Sequence, residues 1–248
     1  MNILREQLDK DFSDFGKRPS LGTDTLIRDF MFECFRPYLP TSPQGRAVAV
    51  GLQNARESAL IAQHYESQLI LNASGGILES LALDTPHYTF ELAFGSPEKL
   101  TEHGRFDGVF SIHTFNFVER PDVILTKMRE SLNEGGKLFL GVQNATAGTR
   151  QMALSMGFIN HLQDVPPAMQ RRGQLRFMDL EMLQDIIKEA GFRKLDTGGI
   201  LLKTLTEAQT GALLAQGLVG EPYLRALFEL GRRYPELCAS VYVVAEKI

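Results

Sequence analysis

The chain has no tryptophan and only two cysteines, Cys34 and Cys238, among its 248 residues. So few cysteines exclude a disulfide-stapled scaffold, and no Cys/His spacing suits a zinc or other metal site. Both thiols lie in apolar, helical-looking sequence, so they are expected reduced rather than bridged. Long hydrophobic runs are missing as well, and no stretch reaches the length of a membrane span. The opening "MNILREQLDKDF" has no signal-peptide core, which makes a cytoplasmic protein the expectation. Neither sign of charge dominates: 26 Lys+Arg against 30 Asp+Glu give a formal net charge of −4. That balance argues against a sequence-independent nucleic-acid binder, which needs a basic stripe. Internal repeats and low-complexity tracts are also lacking.

What is present is apolar material, 44% of residues, enough for the core of one large domain. "RAVAVGLQNARESALIAQHY" reads as a buried strand from Arg46 to Val50, a turn at Gly51, and a helix. Leu60, Ile61 and Tyr65 fall on that helix's apolar face. Strand, glycine, helix is the usual opening of a nucleotide-binding α/β unit. Such a turn normally carries several glycines, whereas Gly51 is followed by Leu52, Gln53, Asn54 and Ala55. Further strands, "SQLILN", "YTFELAF", "FDGVFSI" and "KLFLGVQ", alternate with the helical stretches "GILESLAL", "SPEKLTEH" and "PDVILTKMRESLN". This order predicts a parallel sheet covered on both faces.

The flanks are helical. "DTLIRDFMFECFRPYLP" places Ile27, Phe30, Met31 and Cys34 at helical spacing. Residues 144–177 break into polar, proline-containing, methionine-rich sequence, expected to be a mobile lid. Structure returns with "DLEMLQDIIKEAGF", with Asp179 as its cap and Gly191 as its stop. Strand six reads "GGILLKTL". The helices "TEAQTGALLAQGL" and "EPYLRALFELGRRY" then precede a last strand, "ASVYVVAEKI".

In this order of elements the chain resembles the class I S-adenosylmethionine-dependent methyltransferases. "FDGVFSIHTFNFVERPDVILTKMRESLNEGGKLFLGVQN" looks like their fourth strand, helix, GG turn and fifth strand. "MGFIN", "GQLRFM", "AGF" and "YPELCAS" look like one branch found beside sugar and natural-product biosynthesis. The resemblance, from about Thr25 onward, implies a doubly wound, Rossmann-like, seven-stranded, mostly parallel sheet with N-terminal helices and a helical lid. It divides the chain into a helical cap at 1–44 and one domain at 45–248, with a helical insertion at about 205–236. The closing strand is expected to insert antiparallel.

The same resemblance implies S-adenosylmethionine as cofactor, near Gly51, Gln53, Asn54, Asn72 and Ser96. The departures from the family pattern gather there. Ala49 stands where an acidic residue usually precedes the glycine, Gln53 and Ala55 replace glycines, and Asn72 replaces the carboxylate that binds the ribose. After strand four the branch's His-x-x-Glu-His is reduced to His113, Asn116 and Phe117, and the later Gly-His becomes Gly173-Gln174. His113 is the candidate base; Asn116, Arg172, Gln174 and Arg176 are candidates for the acceptor. The Arg171-Arg172 doublet with Arg176 reads either as a phosphate or sugar-nucleotide site or as a solvated basic loop.

Three functions are compatible with this reading. One is a methyltransferase acting on a small, sugar-linked or natural-product acceptor. Another is a catalytically silent paralogue that binds a partner, such as an active methyltransferase, through its N-terminal helices and lid; a homodimer or a heteromer with an active methyltransferase is the assembly expected. The third is a fold retained for a different nucleotide-like ligand.

Overall fold

Nearly continuous burial along the inner strands, on both faces of the sheet, builds the molecule. In the computed structural model, residues 23–51, 55–73, 78, 90–94 and 97–248 are described. Strands β1 (Arg46–Val50), β2 (Ser67–Asn72), β3 (Phe90–Phe94), β4 (Phe106–Ile112), β5 (Leu132–Gln143), β6 (Phe192–Leu202) and β7 (Cys238–Lys247) form one sheet. The order is β3-β2-β1-β4-β5-β7-β6. The first five strands are parallel, and β7 runs antiparallel between β5 and β6. The seven-stranded doubly wound sheet and its antiparallel insertion are therefore as expected.

One face carries Ala47, Ala49, Phe110, Ile112, Phe139, Tyr242 and Val244. Helices α1 (Asp24–Phe35), α2 (Ala55–Ala62) and, later in the chain, α8 (Glu221–Gly231) cover it. The stretch read as an N-terminal cap packs straight onto the sheet. Phe110 and Phe139 stack at 4.5 Å, and Phe35 lies 5.2 Å from Phe139 and 5.8 Å from Tyr242. Gly141 permits the approach, because a Cβ there would sit 2.2 Å from the Met31 sulfur. The other face carries Val48, Val50, Leu69, Val109, Leu138, Leu140 and Val243 beneath α3 (Pro121–Ser131) and α6 (Leu180–Glu189). Each fully buried aliphatic side chain contributes about 1.5–3 kcal/mol.

Local signals hold at the helix ends. Asp179 accepts from the Met182 N–H at 2.9 Å, and Gly191 takes φ +77°. Thr206 and Gln209 form a capping box at the start of α7 (Glu207–Ala215), in the helical insertion. The lid holds α4 (Gly148–Ser155) and the short α5 (Pro167–Gln170).

Two strands start earlier than the sequence suggested. β5 opens at Leu132, which pairs with Phe106; Asn133 to Gly136 then bulge, and pairing resumes between Gly108 and Lys137. β6 opens at Phe192 rather than Gly198, because its first half is an edge strand paired only with β7 and carries Arg193, Lys194 and Asp196. The stretch "GILESLAL", apart from the buried Leu78, and the first residues of "YTFELAF" lie outside the described residues.

Both cysteines are free, Cys34 part-buried and Cys238 buried. Burial raises the thiol of Cys34 to about 11 and that of Cys238 to about 12, so both stay protonated at neutral pH. No helix among the described residues is long and apolar enough to cross a membrane.

Candidate functional site

The carboxyl ends of β1, β2, β4 and β5 meet along one edge, where ligands of open α/β sheets bind. Gly51 ends β1 with φ +73°, and its N–H donates to the Leu71 carbonyl at 2.9 Å. That bond sets the glycine turn beside Asn72, the buried last residue of β2. A side chain at Gly51 would meet Thr114, whose Oγ1 lies 2.4 Å from where a Cβ would stand. Thr114 donates in turn to the Val50 carbonyl at 3.0 Å. Gly51 is thus held by both conformation and contact. Of the other expected cofactor residues, Gln53, Asn54 and Ser96 lie outside the described residues.

His113 precedes Thr114 and leaves β4 in the left-handed region, at φ 62°. A non-glycine residue there costs on the order of 1–2 kcal/mol, and such strain gathers at functional sites. The ring is 4% exposed, and its Nε2 shares a hydrogen bond of 2.9 Å with Ser240 Oγ. Both side chains line a cavity of about 820 Å³ between the sheet edge, α1 and the lid. His113 faces this cavity while Thr114 faces Gly51, so the turn after β4 joins the cavity to the glycine turn.

The sequence-chosen acceptor residues divide. Arg172 and Gln174 line the cavity; Arg172 is exposed, whereas the Gln174 amide donates to the Arg176 carbonyl at 3.1 Å. Asn116 and Arg176 do not line it. Asn116 is fully buried, with Oδ1 accepting from the Gln143 N–H at 3.0 Å and Nδ2 donating to the Arg176 carbonyl at 3.1 Å. Its own carbonyl accepts from the N–H groups of Leu175 and Arg176. The Arg176 guanidinium donates to the Glu119 carbonyl at 2.9 Å. These two residues fasten the returning end of the lid. Asn144 fastens the departing end, donating to the carbonyls of Glu236 and Cys238 at 2.9 and 2.8 Å.

Several residues of the site escaped sequence reading. Arg28 lines the cavity and pairs with Glu57, the only fully buried carboxylate among the described residues. Each breaks an apolar helical stripe: Arg28 is three before Met31, and Glu57 is four before Ile61. That interruption was the available signal. Lys203 donates to the Thr23 hydroxyl at 2.9 Å and to the Glu207 carboxylate, closing the cavity's far wall. In the lid, Arg150 donates to the carbonyls of Leu162 and Asp164 at 2.8 and 2.6 Å and lies 3.7 Å over the Phe177 ring. Ser240 gave no local signal, because its partner is 127 positions away.

A methyltransferase-domain family model matches residues 43–197, more than half of the chain. The chain therefore belongs to the methyltransferase-domain family, whose cofactor is S-adenosylmethionine, and its fold is that of the class I enzymes. No curated protein matches it in sequence. Among solved structures, a chain of the complex between the Haloferax volcanii Trm112 methyltransferase activator and a methyltransferase is similar over 98% of this chain and 97% of its own, at 12% identity and TM-score 0.63. The [4+2]-cyclase SpnF is similar over 88% of this chain and 80% of its own, at 14% identity and TM-score 0.60. The N-methyltransferase NodS from Bradyrhizobium japonicum WM9, complexed with S-adenosyl-L-homocysteine, covers 89% of this chain and 86% of its own, at 9% identity and TM-score 0.56.

The residues present fit that cofactor with fewer charged bonds than the family uses. The turn at Gly51 keeps its tight backbone, and Asn72 stands buried beside it at the end of β2. Ala49, 1% exposed and packed in the core, brings no polar atom.

Proposed function

We propose that this chain is an S-adenosylmethionine-dependent methyltransferase acting on a small hydroxylated or amino-bearing acceptor. The observation that carries the reading is the His113–Ser240 pair on the floor of a roomy cavity, joined through Thr114 to the glycine turn. Gly51 and Asn72 would hold the cofactor's nucleoside end, and Arg28 faces the cavity from α1. When bound, S-adenosylmethionine supplies an already activated sulfonium methyl group, so the protein's work is positioning and removal of one proton. Ser240 Oγ takes the acceptor's proton as its own passes to His113 Nε2. An imidazole nitrogen held against the hydroxyl can accept that proton.

Calorimetric titration with S-adenosylmethionine and S-adenosylhomocysteine tests the reading, with binding of both expected. Asn72→Asp should tighten S-adenosylmethionine about tenfold by restoring a charge-assisted bond. Absence of binding to wild type and variant alike would sink it.

A second reading is a silent paralogue acting as a protein partner. Met152, Met156 and Phe158 on the lid are 49%, 59% and 73% exposed, an apolar surface open to a partner. The Haloferax neighbour's complex with an activator gives a precedent within the fold. The SpnF cyclase shows that the fold alone does not dictate methyl transfer. Stimulation of a co-purifying methyltransferase, equal for wild type and His113→Ala, would favour this second reading.

A further inference from the structure

The wall of the cavity is unevenly charged. Arg28, Arg150, Arg171, Arg172 and Lys203 line it, against a single lining carboxylate, Glu207, among the described residues. Two of the five cations are answered by acids, Arg28 by Glu57 and Lys203 by Glu207. The remaining three are guanidiniums of the lid. Arg150 bonds to two carbonyls through Nε and one Nη, leaving its other terminal nitrogen out of these bonds. The carboxylate of the neighbouring Asp164 is turned to the N–H groups of Asn160 and His161. Arg171 and Arg172 are exposed at the mouth.

That doublet stands on a fixed turn. Pro166 and Pro167 open α5, and the N–H groups of Arg171 and Arg172 donate back to Pro167 and Met169 at 3.1 and 2.9 Å. Gly173 then reverses the chain at φ +82°. Two guanidiniums on an ordered turn, at the rim of a cavity in a chain of net charge −4, are not a general basic surface. Planar guanidiniums match phosphate oxygens in paired hydrogen bonds. A cavity of about 820 Å³ has room for a phosphorylated metabolite.

We propose that the acceptor is a phosphorylated small molecule, its phosphate or diphosphate held by Arg171 and Arg172 at the mouth and Arg150 on the wall. This rests on the methyltransferase reading and adds the acceptor's class. The reacting hydroxyl or amine would then lie inward, toward His113 and Ser240. Arg176, grouped with the doublet by sequence, has no part in it, because it does not line the cavity and its guanidinium reaches instead to the Glu119 carbonyl.

The test uses inorganic pyrophosphate as the probe, titrated calorimetrically into the 248-residue chain at about 0.15 M ionic strength, where surface charge is screened. Wild type is expected to bind it, and Arg171→Ala/Arg172→Ala to bind it at least about tenfold more weakly. The control is Arg232→Ala/Arg233→Ala, an exposed doublet that does not line the cavity and removes the same charge. Its effect should be under about twofold, as screened surface charge predicts. No binding to wild type, or equal weakening by both doublets, overturns the proposal. S-adenosylmethionine is titrated separately. Pyrophosphate binding without cofactor binding keeps the anion site and discards the methyltransferase reading; the reverse keeps the enzyme and discards the anion site.

Discussion

At the scale of single residues, the site depends on side chains held by partners distant in sequence. His113 is strained in its backbone and tied through Nε2 to Ser240, an arrangement the surrounding sheet must enforce. A positioned base is worth about 10²–10⁴-fold in rate, so His113→Ala should lower turnover at least about a hundredfold. Cofactor affinity should change by less than about tenfold. Ser240→Ala should lower turnover comparably if the proton travels through the hydroxyl; unchanged turnover would mean that His113 meets the acceptor directly. The Arg28–Glu57 pair obeys a different logic. Both side chains are almost fully buried, so Glu57→Gln removes a buried charge partner of Arg28 and should cost about 3–5 kcal/mol in denaturant unfolding. Replacing both, by Arg28→Met with Glu57→Leu, should recover most of that loss. If the double variant is as unstable as the single one, the pair does not act as a compensated unit.

At the scale of elements, the lid is pinned at both ends by Asn116 and Asn144 and wound in its middle around Arg150. The turn from Asn160 to Asp164 closes on one carboxylate. The backbone N–H groups of His161 and then Asn160 hold the Asp164 carboxyl below the usual carboxylate range. A lowered folded pKa means that the turn's stabilisation is present above about pH 4 and is lost as pH falls through the folded value. The amides of Asn160 and His161 should therefore titrate together below about pH 4, and Asp164→Asn should abolish that titration. Exchange across the lid should be faster than in β4, and faster still in Asp164→Ala. How far the sequence revealed these elements follows from where their information lies. Buried strands are short continuous apolar runs, and Asp179, Gly191 and Thr206 are local signals, so these were legible. The first half of β6 is recognised only by its partner β7, and the start of β5 lies across a bulge, so neither was. Likewise Asn116 has the chemistry of a ligand-binding amide, but its bonds to Gln143 and Arg176 exist only after the lid folds back.

At the scale of the whole molecule, the question is whether the N-terminal segment is a detachable cap or part of the cooperative unit. The apolar spacing of α1 was legible, but what it packs against was not, because the aromatic partners of its Phe35, Phe139 and Tyr242, lie on strands more than a hundred positions later. Phe35 is fully buried between Phe139 and Tyr242, and so touches β5 and β7, two interior strands of the sheet. The small residues Ala47, Ala49 and Gly141 provide the space that α1 occupies. A cap would detach and leave those aromatic faces to water; an integral layer would carry its loss into the global transition. Truncating a buried phenylalanine costs about 3–5 kcal/mol. For a domain of this size, Phe35→Ala should lower the midpoint of a single thermal transition by roughly 10 °C. Near- and far-ultraviolet circular dichroism should report the same midpoint, since the altered contacts lie inside the common core. If proteolysis of Phe35→Ala instead released the first 44 residues and left the rest folded with an unshifted transition, α1 would be a separate cap.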